Sequence, residues 1–249
     1  RRWLGADEFI NGYQRWCLWL GDCPPGELRK MPEAMKRVEA VRQFRLASKS
    51  PPTQKLAQTP TRFHVENMPA STYLLIPEVS SERRDWIPIG FMHPDTLSSN
   101  LVKIVPHATL YHFGVLTSTM HMAWVRSVCG RLKSDYRYSA GIVYNNFPWP
   151  DALADKGRQA IEATAQAVLD ARAQFPGSTL ADLYDPLSMP PALWKAHQKL
   201  DAAVDKAYGK SGFKSDAERV AFLFQRYQAL TSLLPVASVK RSRKKPALT

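Results

Sequence analysis

The sequence predicts an α+β protein: a mixed α/β region over about residues 1–150, then a helical region over about 151–249 ending in a basic tail. Three observations predict it. Short apolar runs bounded by turn residues lie before residue 150, which is the signature of short strands. After Pro150, Ala-rich stretches with helical spacing take over. The charge balance also changes there: residues 1–150 carry 19 Lys and Arg against 12 Asp and Glu, whereas 151–239 carry ten of each.

Taken in order, residues 33–47 form a helix, because Met35, Val38, Val41, Arg42 and Phe44 approximate a 3.6-residue period. Residues 47–60, with Ser50-Pro51-Pro52, break regular structure. Tyr73–Ile76 and Trp86–Phe91 are strands, and Leu101–Val105 is a third. Helical spacing returns over 114–132 through Leu116, Met120, Ala123, Trp124 and Val128. Cys129–Ser139 is expected as a loop, and Tyr138–Tyr144 as a strand. Three helices follow, over 154–174, 191–208 and 216–234, with breaks at Phe175-Pro176-Gly177 and Tyr208-Gly209-Lys210. Trp3, Trp16 and Trp19 are expected to fill a core.

Composition narrows the function. No apolar run approaches the roughly 18 residues a membrane span requires, so no membrane partner is expected. Cys17, Cys23 and Cys129 are an odd number with no C-x-x-C pair, which predicts reduced thiols in a cytoplasmic protein. A start without Met predicts a fragment of a longer protein. The formal net charge is +12, and residues 29–62 hold nine basic residues against Glu33 and Glu39. A localised excess of this kind is an electrostatic footprint for phosphates. Lys240–Lys245 adds five more basic residues, which read as a solvated tail.

Two function classes remain, an enzyme and a nucleic-acid reader. The enzymatic sign is Asn146-Phe147-Pro148-Trp149, similar to the [Asn/Asp]-Pro-Pro-[aromatic] loop with which amino-methylating DNA methyltransferases hold a flipped base. The alternative it supports is a catalytically competent fragment dependent on S-adenosylmethionine. Phe147 replaces the first Pro, however, and no Gly-rich turn follows a strand to hold S-adenosylmethionine. The segment therefore reads as an interdomain linker, and no catalytic or cofactor-binding residue is assigned. The six histidines show no metal-ligand spacing, so no metal site is expected, and His121 between two methionines reads as core.

The reader has a candidate in Cys129–Ser139, where Arg131, Lys133, Asp135 and Arg137 alternate and Tyr136 and Tyr138 interleave. In an extended loop, residues 133, 135 and 137 project to one side. Lys133 could donate to guanine O6 and N7 while Asp135 accepts from cytosine N4 across the same pair. A surface i,i+2 ion pair accounts for the two residues equally well.

These residues also carry a resemblance. Glu8–Gly12 with Arg15–Leu20, Arg37–Ser50, Val79–Arg84, Met120–Arg126 and Tyr138–Pro150 resemble the C-terminal part of MmeI-like enzymes. That family consists of type IIL, single-chain DNA adenine methyltransferases and restriction–modification proteins. The resemblance implies a DNA target-recognition domain (1–150) followed by a C-terminal helical domain (151–249). It implies double-stranded DNA as a partner and an upstream methyltransferase domain of the same polypeptide. It also implies S-adenosylmethionine as the cofactor of the full-length enzyme, with none in this chain. Carried over by position, it assigns base reading to Lys133, Ser134, Asp135 and Arg137, and to Asn100 and Leu101. It assigns phosphate contacts to the Arg37–Lys49 segment, with Arg37, Arg42, Arg45 and Lys49.

Overall fold

The computed structural model describes residues 1–66, 68–99, 101–151, 153–210 and 212–232. The chain opens with β1 (Arg2–Leu4) and α1 (Ala6–Asn11), followed by an extended segment that returns to β1 through a bridge between Arg2 and Trp16. Three helices follow: α2 (Pro25–Arg29), α3 (Pro32–Leu46) and α4 (Pro51–Lys55), the last running into a 3₁₀ turn at Leu56–Gln58. Each begins with Pro in its first turn, where the missing N–H has no intrahelical partner to lose.

The strands come next: β2 (Tyr73–Pro77), β3 (Val79–Ser80), β4 (Gly90–Met92), β5 (Thr96–Ser98) and β6 (Val102–Pro106). After α5 (Leu110–Leu116) and α6 (Thr119–Val128), β7 (Gly130–Leu132) and β8 (Asp135–Arg137) form a hairpin, and Ala140–Tyr144 makes one π-helical turn. The chain ends in α7 (Asp155–Ala173), α8 (Leu180–Leu183), α9 (Pro191–Ala207) and α10 (Asp216–Thr231). Strand order is β4-β2-β6 in one antiparallel sheet and β3-β8-β7 in another, and β1 pairs parallel with β5.

β2 is buried along its whole length because both of its faces are covered. Successive side chains of a strand point to opposite faces. Tyr73 and Leu75 accordingly enter a small core with Leu4, Phe9, Ile10 and Val102. Leu74 and Ile76 enter the large core with Trp86, Phe113, Trp124, Leu200 and Leu223. That core runs across residue 150, so the mixed region and the helical region are packed as one. Gly114 marks a close approach: a Cβ there would lie 2.7 Å from Ile161 Cγ2 on α7 and 3.2 Å from Leu200 Cδ1 on α9.

Polar contacts tie the same regions together. Asp201 on α9 accepts from the Thr119 backbone N–H (2.7 Å), the Thr119 hydroxyl (2.5 Å) and Trp86 Nε1 (3.3 Å). It therefore serves the exposed amides at the start of α6 from another helix. Burial pushes its pKa up to about 6 against the pull of these donors. Arg172 on α7 donates to the Ile89 carbonyl at 2.7 Å and to the Tyr184 hydroxyl, which in turn meets His197 Nε2 at 2.8 Å.

The structure corrects several expectations. Of Trp86–Phe91 only Gly90 and Phe91 are in strand, because Trp86, Ile87 and Ile89 pack into the large core as irregular chain. Residues 47–60 contain α4 and the 3₁₀ turn. Tyr138–Tyr144 is not a strand: the Ser139 hydroxyl accepts the Ile142 N–H and caps the π turn. The helix over 114–132 is two helices, broken at Thr117-Ser118, where the Ser118 hydroxyl caps the second. Trp16 is 67% exposed and does not fill a core.

Candidate nucleic-acid interface

The Cys129–Ser139 segment is a hairpin, not a loop. β7 and β8 pair Gly130 with Arg137, Arg131 with Tyr136 and Leu132 with Asp135, leaving Lys133 and Ser134 as a two-residue turn. Lys133 has φ +57°. A two-residue hairpin turn needs positive φ at its first residue to match the twist of the strands, a position that usually falls to glycine.

Arg131 braces the tip. Its guanidinium lies 4.2 Å over the buried Tyr136 ring and donates to the Ser134 carbonyl at 2.9 Å. On β8, Asp135 and Arg137 share one face while Tyr136 fills the core behind them. Lys133, at the turn, does not belong to that row, so the shared projection of 133, 135 and 137 expected from the sequence is not formed. No ion pair joins Lys133 to Asp135. The Asp135 carboxylate instead accepts from the Glu82 backbone N–H at 3.4 Å. Lys133 and Ser134 are exposed.

The second segment named from the sequence, Asn100 and Leu101, lies at the start of β6. Asn100 is outside the described residues; Leu101 is half exposed. Glu78, between β2 and β3, joins this turn to the hairpin. Its N–H donates to the Leu101 carbonyl (3.0 Å), and its own carbonyl accepts from the Tyr138 N–H (2.7 Å). Its largely buried carboxylate meets Lys103 Nζ of β6 at 3.3 Å and Arg137 Nε of β8 at 3.5 Å. Sequence reasoning did not single out Glu78, because one Glu after a Pro carries no pattern; only the pairing of strands distant in sequence gives it two cations. Arg84, also missed, is half-buried near Asp135; burial lowers its pKa, and the Asp135 and Asp185 carboxylates oppose that shift.

The four cations of the Arg37–Lys49 segment stand in different environments. Arg45 is committed to the protein, donating to the carbonyls of Leu56, Thr59 and Arg62 at 2.7–2.9 Å. Arg42 is exposed and loosely paired with Glu39 at 3.6 Å. Lys49 is exposed just past the end of α3, and Arg37 is exposed on the opposite flank from Arg42. The basic tail lies outside the described residues.

Residues 146–149 are used structurally. Asn146 Nδ2 donates to the Gly141 and Ile142 carbonyls at 2.8 and 3.1 Å, tying down the π turn. Phe147 is buried, and the Pro148 carbonyl accepts from the Tyr208 hydroxyl at 3.0 Å. His121 is buried with Nε2 3.0 Å from the Tyr138 hydroxyl, and burial pushes its pKa down to about 3, which keeps it neutral. Among the described residues there is no cluster of three or more His, Cys, Asp or Glu able to hold a metal, and no helix is long and apolar enough to cross a membrane.

Residues 1–151 match the family model "MmeI, target recognition domain", and residues 153–235 match "MmeI, C-terminal domain". The chain is 42% identical over 231 residues to DNA methyltransferase A of Bacillus subtilis (strain 168), covering 93% of this chain and 26% of that protein. It superposes with a TM-score of 0.90 and 51% identity on the type IIL restriction–modification enzyme MmeI, solved in complex with DNA. That match covers 94% of this chain and 31% of the solved one, so the chain spans about a quarter to a third of these relatives.

Proposed function

The chain belongs to the MmeI family, matching its target recognition and C-terminal domains, and on that premise we propose a recognition role. The chain is the sequence-specific, double-stranded DNA recognition module of a type II DNA adenine-N6 methyltransferase of the restriction–modification kind. One observation carries this: two segments far apart in sequence, the Leu101 turn and the end of the β7–β8 hairpin at Arg137 and Tyr138, converge on Glu78. A hairpin turn that exposes Lys133 and Ser134 from a three-stranded sheet suits a major groove, which admits a β-ribbon.

In this reading Lys133, Ser134, Asp135 and Arg137 read base edges from the hairpin, and Asn100 and Leu101 from the neighbouring turn. Lys133 donates to guanine O6 and N7, and Asp135 accepts from cytosine N4. Arg42 and Lys49 are the phosphate contacts. Residues 1–150 do the reading, and 151–249 are the C-terminal domain, whose described helices share their core. Catalysis and S-adenosylmethionine belong to an upstream methyltransferase domain in a cytoplasmic enzyme. The competing reading, catalysis at Asn146–Trp149, is disfavoured because Phe147, which stands where the motif has its first Pro, is buried in the large core.

Selection from a randomised duplex pool tests the proposal, with calorimetric titration of S-adenosylmethionine beside it. Enrichment of a discrete motif with salt-dependent affinity is expected. A pool recovered without a motif, or saturable S-adenosylmethionine binding to this chain, would overturn it.

A further inference from the structure

β7 carries one side chain that stands among the base readers without belonging to them. Strand pairing sets Leu132 directly opposite Asp135, and Gly130 opposite Arg137. Cross-strand partners in an antiparallel pair share one face, so Leu132 joins the row of Asp135 and Arg137. Arg131 and Tyr136, the pair between them, take the other face, where Tyr136 is buried in the large core. The row thus presents one apolar and two charged side chains on the side away from that core. β7 is the edge strand of its sheet, and Leu132 is 48% exposed.

Stability does not call for leucine there. The cross-strand pairs that strengthen a sheet are aromatic, β-branched or oppositely charged, and a leucine facing a carboxylate is none of these. A single exposed leucine elsewhere would need no explanation. This one adjoins the exposed Lys133–Ser134 turn, so a partner that meets the turn and Asp135 also meets Leu132.

The chemistry of a base edge names its contact, given the reading of this hairpin as a ribbon in the major groove, on which the inference rests. Base edges in that groove present donors and acceptors, and the methyl group among them is the C5-methyl of thymine. Cross-strand Cβ atoms lie about 5 Å apart, and successive base pairs about 3.4 Å. A side chain opposite Asp135 therefore falls on the base pair beside the one that Asp135 reads. We propose that Leu132 is a further specificity-determining residue, packing on the thymine methyl of an A·T pair next to the G·C pair read by Lys133 and Asp135. It selects that pair by apolar contact, without a hydrogen bond.

Uracil lacks only that methyl. Binding of the complete natural polypeptide that carries these residues is measured on its selected motif, with each thymine replaced in turn by uracil. The position whose preference moves in Lys133→Glu with Asp135→Arg marks the reference pair. At a thymine in an adjoining pair, uracil is expected to weaken wild-type binding about four-fold, the worth of one buried methyl group. Leu132→Ala should bind the thymine and uracil duplexes equally and keep its preference at the reference pair. Leu132→Met, which retains apolar reach, should prefer thymine again. Uracil without effect at every adjoining thymine would overturn the proposal, as would a motif with no A·T pair beside the reference pair. So would an undiminished uracil penalty in Leu132→Ala, or loss of both preferences there, which would make the leucine a support of the hairpin. Failure of the underlying reading looks different: no motif is enriched, or none of its positions moves in the exchange variant, and this inference falls with it.

Discussion

Lys133 and Asp135 stand two residues apart at one hairpin tip and do not pair; Asp135 accepts from the Glu82 N–H, while Lys133, on a backbone at φ +57°, has no partner among the described residues. The surface ion pair that fits the sequence equally well is therefore absent. The carboxylate accepts one backbone bond, and the ammonium has no partner among the described residues, so neither group is neutralised by the other.

Exchanging the donor and acceptor should move the preference at one base position. Lys133→Glu with Asp135→Arg is expected to change G to C there in the motif methylated by the full-length enzyme, and to leave other positions intact. Each single change should be worse than the double, since a lone charge then faces a mismatched edge, at a cost of roughly 1–3 kcal/mol. Sequencing of methylated sites decides this, and an unaltered motif removes both residues from the reading set.

Lys133→Gly separates stability from recognition. Glycine adopts positive φ without the left-handed penalty of about 1 kcal/mol that lysine carries, so thermal stability should hold or rise. Discrimination at the affected position should fall. A loss of stability would mean that the Lys133 side chain supports the hairpin.

Arginines within one segment should behave differently. Arg42→Ala and Lys49→Ala should weaken binding to all duplexes and lower the salt slope by about 1 each, as loss of a phosphate contact does. Arg45→Ala should instead lower the melting temperature, because three carbonyls lose their donor. Equal salt slopes in all three variants would reject the division.

Asp201 makes stability depend on pH. Its folded pKa of about 6 lies above the usual aspartate value of about 3.8, so the folded state binds the proton more tightly. Its contribution is then fully present below about pH 4 and decays as pH rises through 6, by on the order of 3 kcal/mol. Urea unfolding of wild type and Asp201→Asn between pH 4 and 7.5 should show the wild-type advantage shrinking as pH rises. A pH-independent difference would mean that the donors at Thr119 and Trp86 cancel burial, and an advantage that grows with pH would mean that they outweigh it.

Gly114→Ala tests the joint core. The new methyl would meet Ile161 at 2.7 Å, between helices that cannot easily part, and should cost about 1–3 kcal/mol. An unchanged melting temperature would show that α5 and α7 have room to separate.

The sequence by itself determined the α+β class, the long helices and the family resemblance. Amphipathic period, proline starts and breaker residues are local signals, and α3, α7, α9 and α10 lie within a few residues of where periodicity places them. Long, compositionally unusual runs such as Tyr138–Pro150 carried the resemblance even though their strand assignment failed, because a motif is legible whatever backbone it adopts. Tertiary structure alone decided the site. That Cys129–Ser139 is a hairpin depends on β8 finding β3, more than fifty residues earlier. That Arg45 is occupied, while Arg37 has no partner among the described residues, depends on the 3₁₀ turn folding back to one and not the other. Glu78 acquires its place only when two sheets meet around it. Such pairings are set by which surfaces the whole chain buries together, and no window of sequence contains that information.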